Sequence, residues 1–255
     1  MIAAGIVGLM QRDFTPTWSG VPEHSRLGPG LVYFTAVVSL GCGLGLLWRR
    51  FAFAAAGVLL GVFLSWIVVF RISPIVSAPA VTDGWWALGD TALMAAASWL
   101  LFAWFADDRR GPFTFATGAE GIRIARVLFG LALIPFGVAH FTYLERTVSL
   151  VPGWLPWHLA WAYATGGAFI AAGVALVLGV WPRLAATLAA LQLGLFTVLV
   201  WVPIIVTGPD ASQWTEFVSS WVLTAGAWVV ADSFRGMPWL AARHPLEFAA
   251  ARKAD

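Results

Sequence analysis

Seven stretches of this chain, roughly 30–48, 51–70, 85–105, 122–142, 157–179, 184–205 and 213–234, run for about 20 residues with few charges; a shorter one, 1–14, precedes them. At 1.5 Å per residue, about 20 apolar residues are what a helix needs to cross roughly 30 Å of hydrocarbon. The charges cluster between the stretches. Only 11% of the 255 residues are charged and 60% are hydrophobic, whereas soluble domains carry about 25% charged residues. The expected fold is an all-α integral membrane protein with eight transmembrane helices. The first stretch lacks a basic leading region, and Gln11-Arg12-Asp13 is no small-residue cleavage site, so it reads as a helix that stays rather than a signal peptide.

Orientation follows from arginine and lysine. Arg49, Arg50, Arg109, Arg110, Arg123, Arg126, Arg183, Arg235, Arg243, Arg252 and Lys253 fall in one set of loops and ends; Arg12, Arg26, Arg71 and Arg146 fall in the other. The richer set is expected in the cytoplasm, with both termini inside. The net charge of +2 is small, and the basic residues form no stripe, which speaks against nucleic acid as a partner. The one cysteine, Cys42, excludes an internal disulfide and dithiol chemistry within the chain.

The chain also reads as written twice. At an offset near 130, Gly8 falls on Gly137, Val21-Pro22 on Val151-Pro152, Tyr33 on Tyr163, Thr35 on Thr165 and Gly43 on Gly173. A three-residue slip then aligns Arg50 with Arg183, Gly61 with Gly194 and Phe63 with Phe196. The offset returns to 129 for Trp85 on Trp214 and Trp99 on Trp228. Four spans per copy is an even number, so two parallel four-helix bundles are expected: a first repeat over 1–105, a cytoplasmic linker over 106–121, a second repeat over 122–235 and an interfacial tail over 236–255. In this alignment Met1 meets Gly130, so the first helix is about eight residues short.

A helix ending in Gly137-x-x-His140-Phe141, then "LVPGWLPW", then "YATGGAFIAAG" resembles the DoxX-like membrane family, most closely across 135–173 and onward to about 232. The first repeat matches more loosely, with Gln11 where the second has His140. The resemblance is to the double-length, eight-helix members. It implies the bacterial cytoplasmic membrane and a place near quinone-linked or other redox complexes: a quinone as ligand, a soluble oxidoreductase as partner, no cofactor held within the chain. It transfers no catalytic residue.

The polar residues leave three functions open: a redox-complex subunit with a small-ligand pocket, a transporter with a path between the repeats, or a structural module without a ligand. His140 either relays protons or bonds a ligand carbonyl, or it caps its own helix. Pro152 and Pro156 bar helix, leaving Trp154 and Trp157 to anchor in headgroups or to floor a pocket. One pocket is expected on the outer side between the fifth, sixth and eighth helices, lined by His140, Tyr143, Glu145, Trp154, Trp161 and Glu216. Arg71 and Asp90, absent together from the second repeat, are expected to form a partly buried ion pair, the alternative being that both are solvated at the interface. His24, His140, His158 and His244 show no metal spacing, so no metal is expected.

Overall fold

A computed structural model of the protein describes residues 1–22, 24–106 and 114–241. Every regular segment in it is helical: α1 (Ile2–Gln11), a 3-10 turn at Pro16–Trp18, α2 (Gly28–Gly45), α3 (Arg49–Trp66), α4 (Ile72–Ser77), α5 (Thr82–Phe105), α6 (Thr114–Thr117), α7 (Ala119–Thr142), α8 (Leu144–Leu150), α9 (His158–Leu178), α10 (Pro182–Phe196), α11 (Val202–Val206) and α12 (Ala211–Ser233). Two π-helical turns, Ile67–Arg71 and Thr197–Trp201, join α3 to α4 and α10 to α11. Among the described residues six helices are long and apolar enough to cross a bilayer: α2, Arg49–Ser77, α5, α7, α9 and Pro182–Val206. Among their outward residues Val68 is 65% exposed and Leu188 52%, and Trp228 on α12 is 58% exposed. Water would penalise so much apolar surface, and hydrocarbon does not. The chain is an α-helical, multi-pass membrane protein. α12 is of similar length but more polar, and α1 has ten residues.

The helices start and stop where local chemistry directs. Asp210 and Gln213 form a reciprocal capping box at the head of α12: Asp210 Oδ1 accepts from the Gln213 amide at 2.8 Å, and Gln213 Oε1 accepts from the Asp210 amide at 3.0 Å. Pro182 opens α10 and Gly179, at φ 70°, closes α9.

Helix contacts rest on glycine. A methyl group on Gly137 would lie 2.5 Å from the Gly166 carbonyl oxygen, and one on Gly173 would lie 2.6 Å from that of Gly130. Thus α7 and α9 touch backbone to backbone at two places about two turns apart on the same face. The same arrangement recurs between α1 and α2, where Gly5 abuts the Ala36 carbonyl and Gly43 abuts the Ile2 amide. On its other side α7 packs along α5, where a methyl on Gly89 would lie 2.9 Å from the Ala132 carbonyl oxygen. The run Ala92–Ala97 of α5 is buried throughout. α5 also meets α12, at Gly226 against Leu93, and α12 in turn meets α1. The two expected bundles are therefore not separate bodies: α5 and α7, from different halves, pack as closely as neighbours within a half.

Buried faces give a register for comparing the halves. Ala52, Ala55, Ala56, Leu59, Leu60 and Phe63 are buried on α3; Pro182, Ala185, Ala186, Ala189, Ala190 and Leu193, each 130 positions on, are buried on α10. Val32, Ala36, Ser39, Cys42 and Gly43 of α2 stand likewise to Ala162, Gly166, Phe169, Ala172 and Gly173 of α9. The π turns at 67–71 and 197–201 keep that spacing. The expected three-residue slip corresponds instead to a difference in where the helix begins, since α3 has 18 residues and α10 has 15. Gly5, not Gly8, occupies the place of Gly137, because Gly5 meets Ala36 and Leu40 as Gly137 meets Gly166 and Ile170. α1 then matches only the C-terminal part of α7.

Of the expected linker, 107–113 with Arg109 and Arg110 lies outside the described residues, as does 242–255 of the expected tail, including Arg243, His244, Phe248, Arg252 and Lys253. The described start of the tail is held by Arg183, which donates to the Met237 carbonyl at 2.8 Å and lies 4.1 Å from the centre of the Trp239 ring.

Glycine contact of this kind predicts opposite outcomes for one substitution at two sites. Gly137→Ala should destabilise by about 1–3 kcal/mol through overpacking. Gly167→Ala, whose added methyl meets nothing within 4 Å, should be neutral or stabilising by up to about 1 kcal/mol. Thermal unfolding of both variants in detergent checks this.

Candidate functional site

The Gly137–Gly166 contact fixes what lies one turn on. His140 sits against Gly166, its ring 5.5 Å from the Phe169 ring at 60°. Its Nδ1 is 2.7 Å from the Phe136 carbonyl oxygen. A carbonyl only accepts, so Nδ1 carries the hydrogen and donates it, and Nε2 is left for another partner.

Beside His140 lies a cavity of about 530 Å³ between α8, α9, α10 and the second π turn. Phe169 and His140 back it, Trp161, Leu191 and Leu195 wall it, and Val151, Pro152 and Trp154 cover one end. Leu188, Leu191 and Leu195 are about half exposed, so the cavity is open along the bundle's apolar flank. Gln192 enters from α10, its Nε2 donating to the Thr165 carbonyl at 2.9 Å. By the same logic its Oε1 is the end left over.

The cover is made by sequence. α8 ends at Leu150, Pro152 and Pro156 prevent its resumption, and Leu155 N bonds the Pro152 carbonyl in a turn. Trp157 then adopts a left-handed conformation, φ 58°, to start α9. That is uncommon for a residue with a side chain. Trp154 and Trp157 are among the most exposed aromatic rings of the protein, consistent with indoles at an interface.

The corresponding region of the first half is closed. There the 16–19 turn folds inward. Trp18 is 1% exposed, stacks on Phe63 at 4.2 Å and 4°, and donates through Nε1 to Ser39 Oγ at 2.9 Å. Ser39 is the residue 130 positions before Phe169. Above it Arg71, 2% exposed, donates through Nε to Thr91 Oγ1 (2.9 Å), through Nη1 to Ser19 Oγ (3.3 Å), and through Nη2 to the Pro16 and Thr17 carbonyls (3.3 Å each).

The expected Arg71–Asp90 contact does not form. No nitrogen–oxygen approach within 4.0 Å links them among the described residues, although Asp90 is buried and lies in the field of Arg71. Four of the five N–H groups of the guanidinium are taken by neutral acceptors of the 16–19 turn and by Thr91, the neighbour of Asp90 on α5. A second hollow, of about 670 Å³ and no more open than the first, is lined by Arg12, Asp13, Phe14, Ser25, Val32 and Tyr33, with the Arg12 and Asp13 charges exposed.

The six expected site residues divide. His140, Trp154 and Trp161 line the cavity. Tyr143 turns the other way, donating to Asp83 Oδ1 at 2.6 Å with its ring 6.2 Å from Trp86. That bond raises the phenol above its ordinary titration range. Glu145 is exposed on α8, and Glu216, half-buried on α12, lies in the fields of Asp90 and Arg146. The expected location is corrected accordingly: the cavity is bounded by α7, α9 and α10, the fifth, sixth and seventh of the eight expected helices, with α8, and not by α12. Gln192, Thr165 and Phe169 were absent from the expected set. Gln192 had one signal, an amide in the middle of an apolar stretch. Among the described residues no three His, Cys, Asp or Glu converge as a metal site. No protein-family model, curated protein or solved structure matches the chain.

If neutral acceptors rather than Asp90 satisfy Arg71, a lysine will not replace it. Lysine keeps the charge but lacks the planar fork. Arg71→Lys should therefore lose at least half of the stability that Arg71→Met loses, about 2 kcal/mol or more for the stranded acceptors. Near-complete rescue by lysine in thermal unfolding would restore the charge-pair account.

Proposed function

We propose that this chain is a double-length DoxX-like protein of the bacterial cytoplasmic membrane. It has eight membrane segments, from α1, whose ten residues cover about 15 Å of the depth, to α12, with both termini on the cytoplasmic side, and is built of two parallel repeats. The constant spacing of buried faces and π turns supports the repeat. The cavity beside His140 receives a flat, weakly polar, lipid-soluble molecule of the quinone class. The protein thereby serves as the membrane subunit of a redox complex whose partner is a soluble oxidoreductase.

One observation carries the ligand reading. A pocket of about 530 Å³ falls within the size range of small-molecule sites, is apolar on most sides, and collects two polar side chains with unspent capacity, His140 and Gln192, near its back wall. Its half-exposed leucines face the side on which a bilayer would lie, so a ligand reaches it from the lipid.

A short-chain benzoquinone or its quinol, the latter kept reduced, should raise the melting temperature of the purified protein in detergent, and His140→Ala should weaken the protection while moving the unliganded melting point little. Absence of protection of the unaltered protein across a series of benzo- and naphthoquinones and their quinols would refute the ligand reading. The span count has its own check: a reporter fused after Asp255 should be cytoplasmic, and one inserted near Asp210 should be external.

A further inference from the structure

The polar groups of the cavity are not neutral as to what they bind. His140 Nδ1 spends its hydrogen on the Phe136 carbonyl at 2.7 Å. The neutral imidazole therefore presents a bare lone pair at Nε2, which accepts and cannot donate. Gln192 spends an Nε2 hydrogen on the Thr165 carbonyl at 2.9 Å and keeps Oε1, also an acceptor. Thr165 donates its hydroxyl back to the Trp161 carbonyl at 2.8 Å, and Thr147 donates to the Tyr143 carbonyl at 3.1 Å. Each leaves oxygen lone pairs rather than a hydrogen. Trp154 and Trp161 also line the cavity and carry indole N–H groups, but on residues 69% and 44% exposed, whereas His140 and Gln192 are more buried. Beside His140 and Gln192 the cavity is thus rich in acceptors, with the second Gln192 N–H the spare donor of that pair.

We infer that the groove selects a hydroxyl-bearing ligand, a quinol or long-chain phenol, over the matching quinone or ether, with the ligand O–H donating to His140 Nε2. This rests on the reading of the groove as a ligand site and specifies its chemistry. A ring carbonyl would set lone pair against lone pair at Nε2, whereas a hydroxyl completes the bond. Sites built to hydrogen-bond a hydroxyl discriminate strongly against analogues lacking it, because the buried polar group is then left unpaired. Tighter binding of the reduced form also raises the midpoint potential of the bound couple. Tenfold selectivity corresponds to about 30 mV for a two-electron couple.

The test compares 4-nonylphenol with 4-nonylanisole, which keeps the oxygen but not the hydrogen, and with nonylbenzene, which lacks both. Binding to the full-length protein in nanodiscs is read by quenching of tryptophan fluorescence. The phenol should bind at least about tenfold more tightly than either analogue. His140→Phe should collapse that ratio toward one while leaving nonylbenzene affinity nearly unchanged. An anaerobic comparison of a short-chain quinol with its quinone should give the same order. Equal binding of phenol and anisole overturns the inference while leaving an apolar ligand site intact. Absence of binding by all three compounds, quinol and quinone included, instead refutes the ligand site itself. If His140→Phe does not fold, the ratio measured on the unaltered protein decides alone.

Discussion

Where α7 crosses α9 there is no room for side chains: the Gly166 carbonyl oxygen lies 2.5 Å from where a methyl on Gly137 would be. Membrane helices lack a hydrophobic force between them and associate through such close van der Waals fits. The rest of the candidate site inherits its geometry from this contact. His140 is three residues beyond Gly137, so bringing the backbones together seats its ring against Phe169 and turns Nδ1 back to its own helix. α10 is then tied to α9 by the Gln192–Thr165 bond, and the cavity is the space that remains under the proline-interrupted cover.

The first half uses the same helix contacts, Gly5 on Ala36 and Gly43 on Ile2, and reaches a different end. The connection between α1 and α2, residues 12–27, folds inward at its 16–19 turn, so Trp18 and Arg71 occupy the interior. The connection between α7 and α9, residues 143–157 and so of nearly the same length, forms α8 instead and remains above the bundle. Similar helical frames thus yield one filled interior and one hollow one, and the choice is made by the loop rather than by the helices. Arg71 belongs to the filling: its contacts hold the turn that carries Trp18.

Much of the architecture is legible from length and polarity, because a bilayer demands helices of a set length and the arginines mark their ends. What sequence identity obscured was register. Gly61 over Gly194 is a tempting match, yet Gly61 faces open space while a methyl on Gly194 would meet Thr224 at 3.4 Å, and buried residues such as Leu59 and Ala189 align without being identical. Burial constrains position on a helix face more than residue type. At the site, His140, Trp154 and Trp161 were readable because they flank a helix end and a proline-blocked loop. Tyr143, Glu145 and Glu216 share that depth but not that side of the bundle. Depth follows from counting along a helix, while direction around it depends on which helices become neighbours. The same gap separated Asp90 from Arg71: one position along α5, Thr91 rather than Asp90 points at the guanidinium.

The two π turns have a consequence for history. A π turn is an α-helix carrying one residue more than its hydrogen-bond ladder needs, and such an addition is costly enough to be kept mainly for use. Here the additions stand 130 positions apart, each at the end of the corresponding long helix and each with a proline shortly beyond, Pro74 and Pro203. If both halves descend from one four-helix ancestor, the extra residue entered that ancestor before it was copied. The widened turn would then be older than the tryptophan plug that distinguishes one half and the hollow that distinguishes the other.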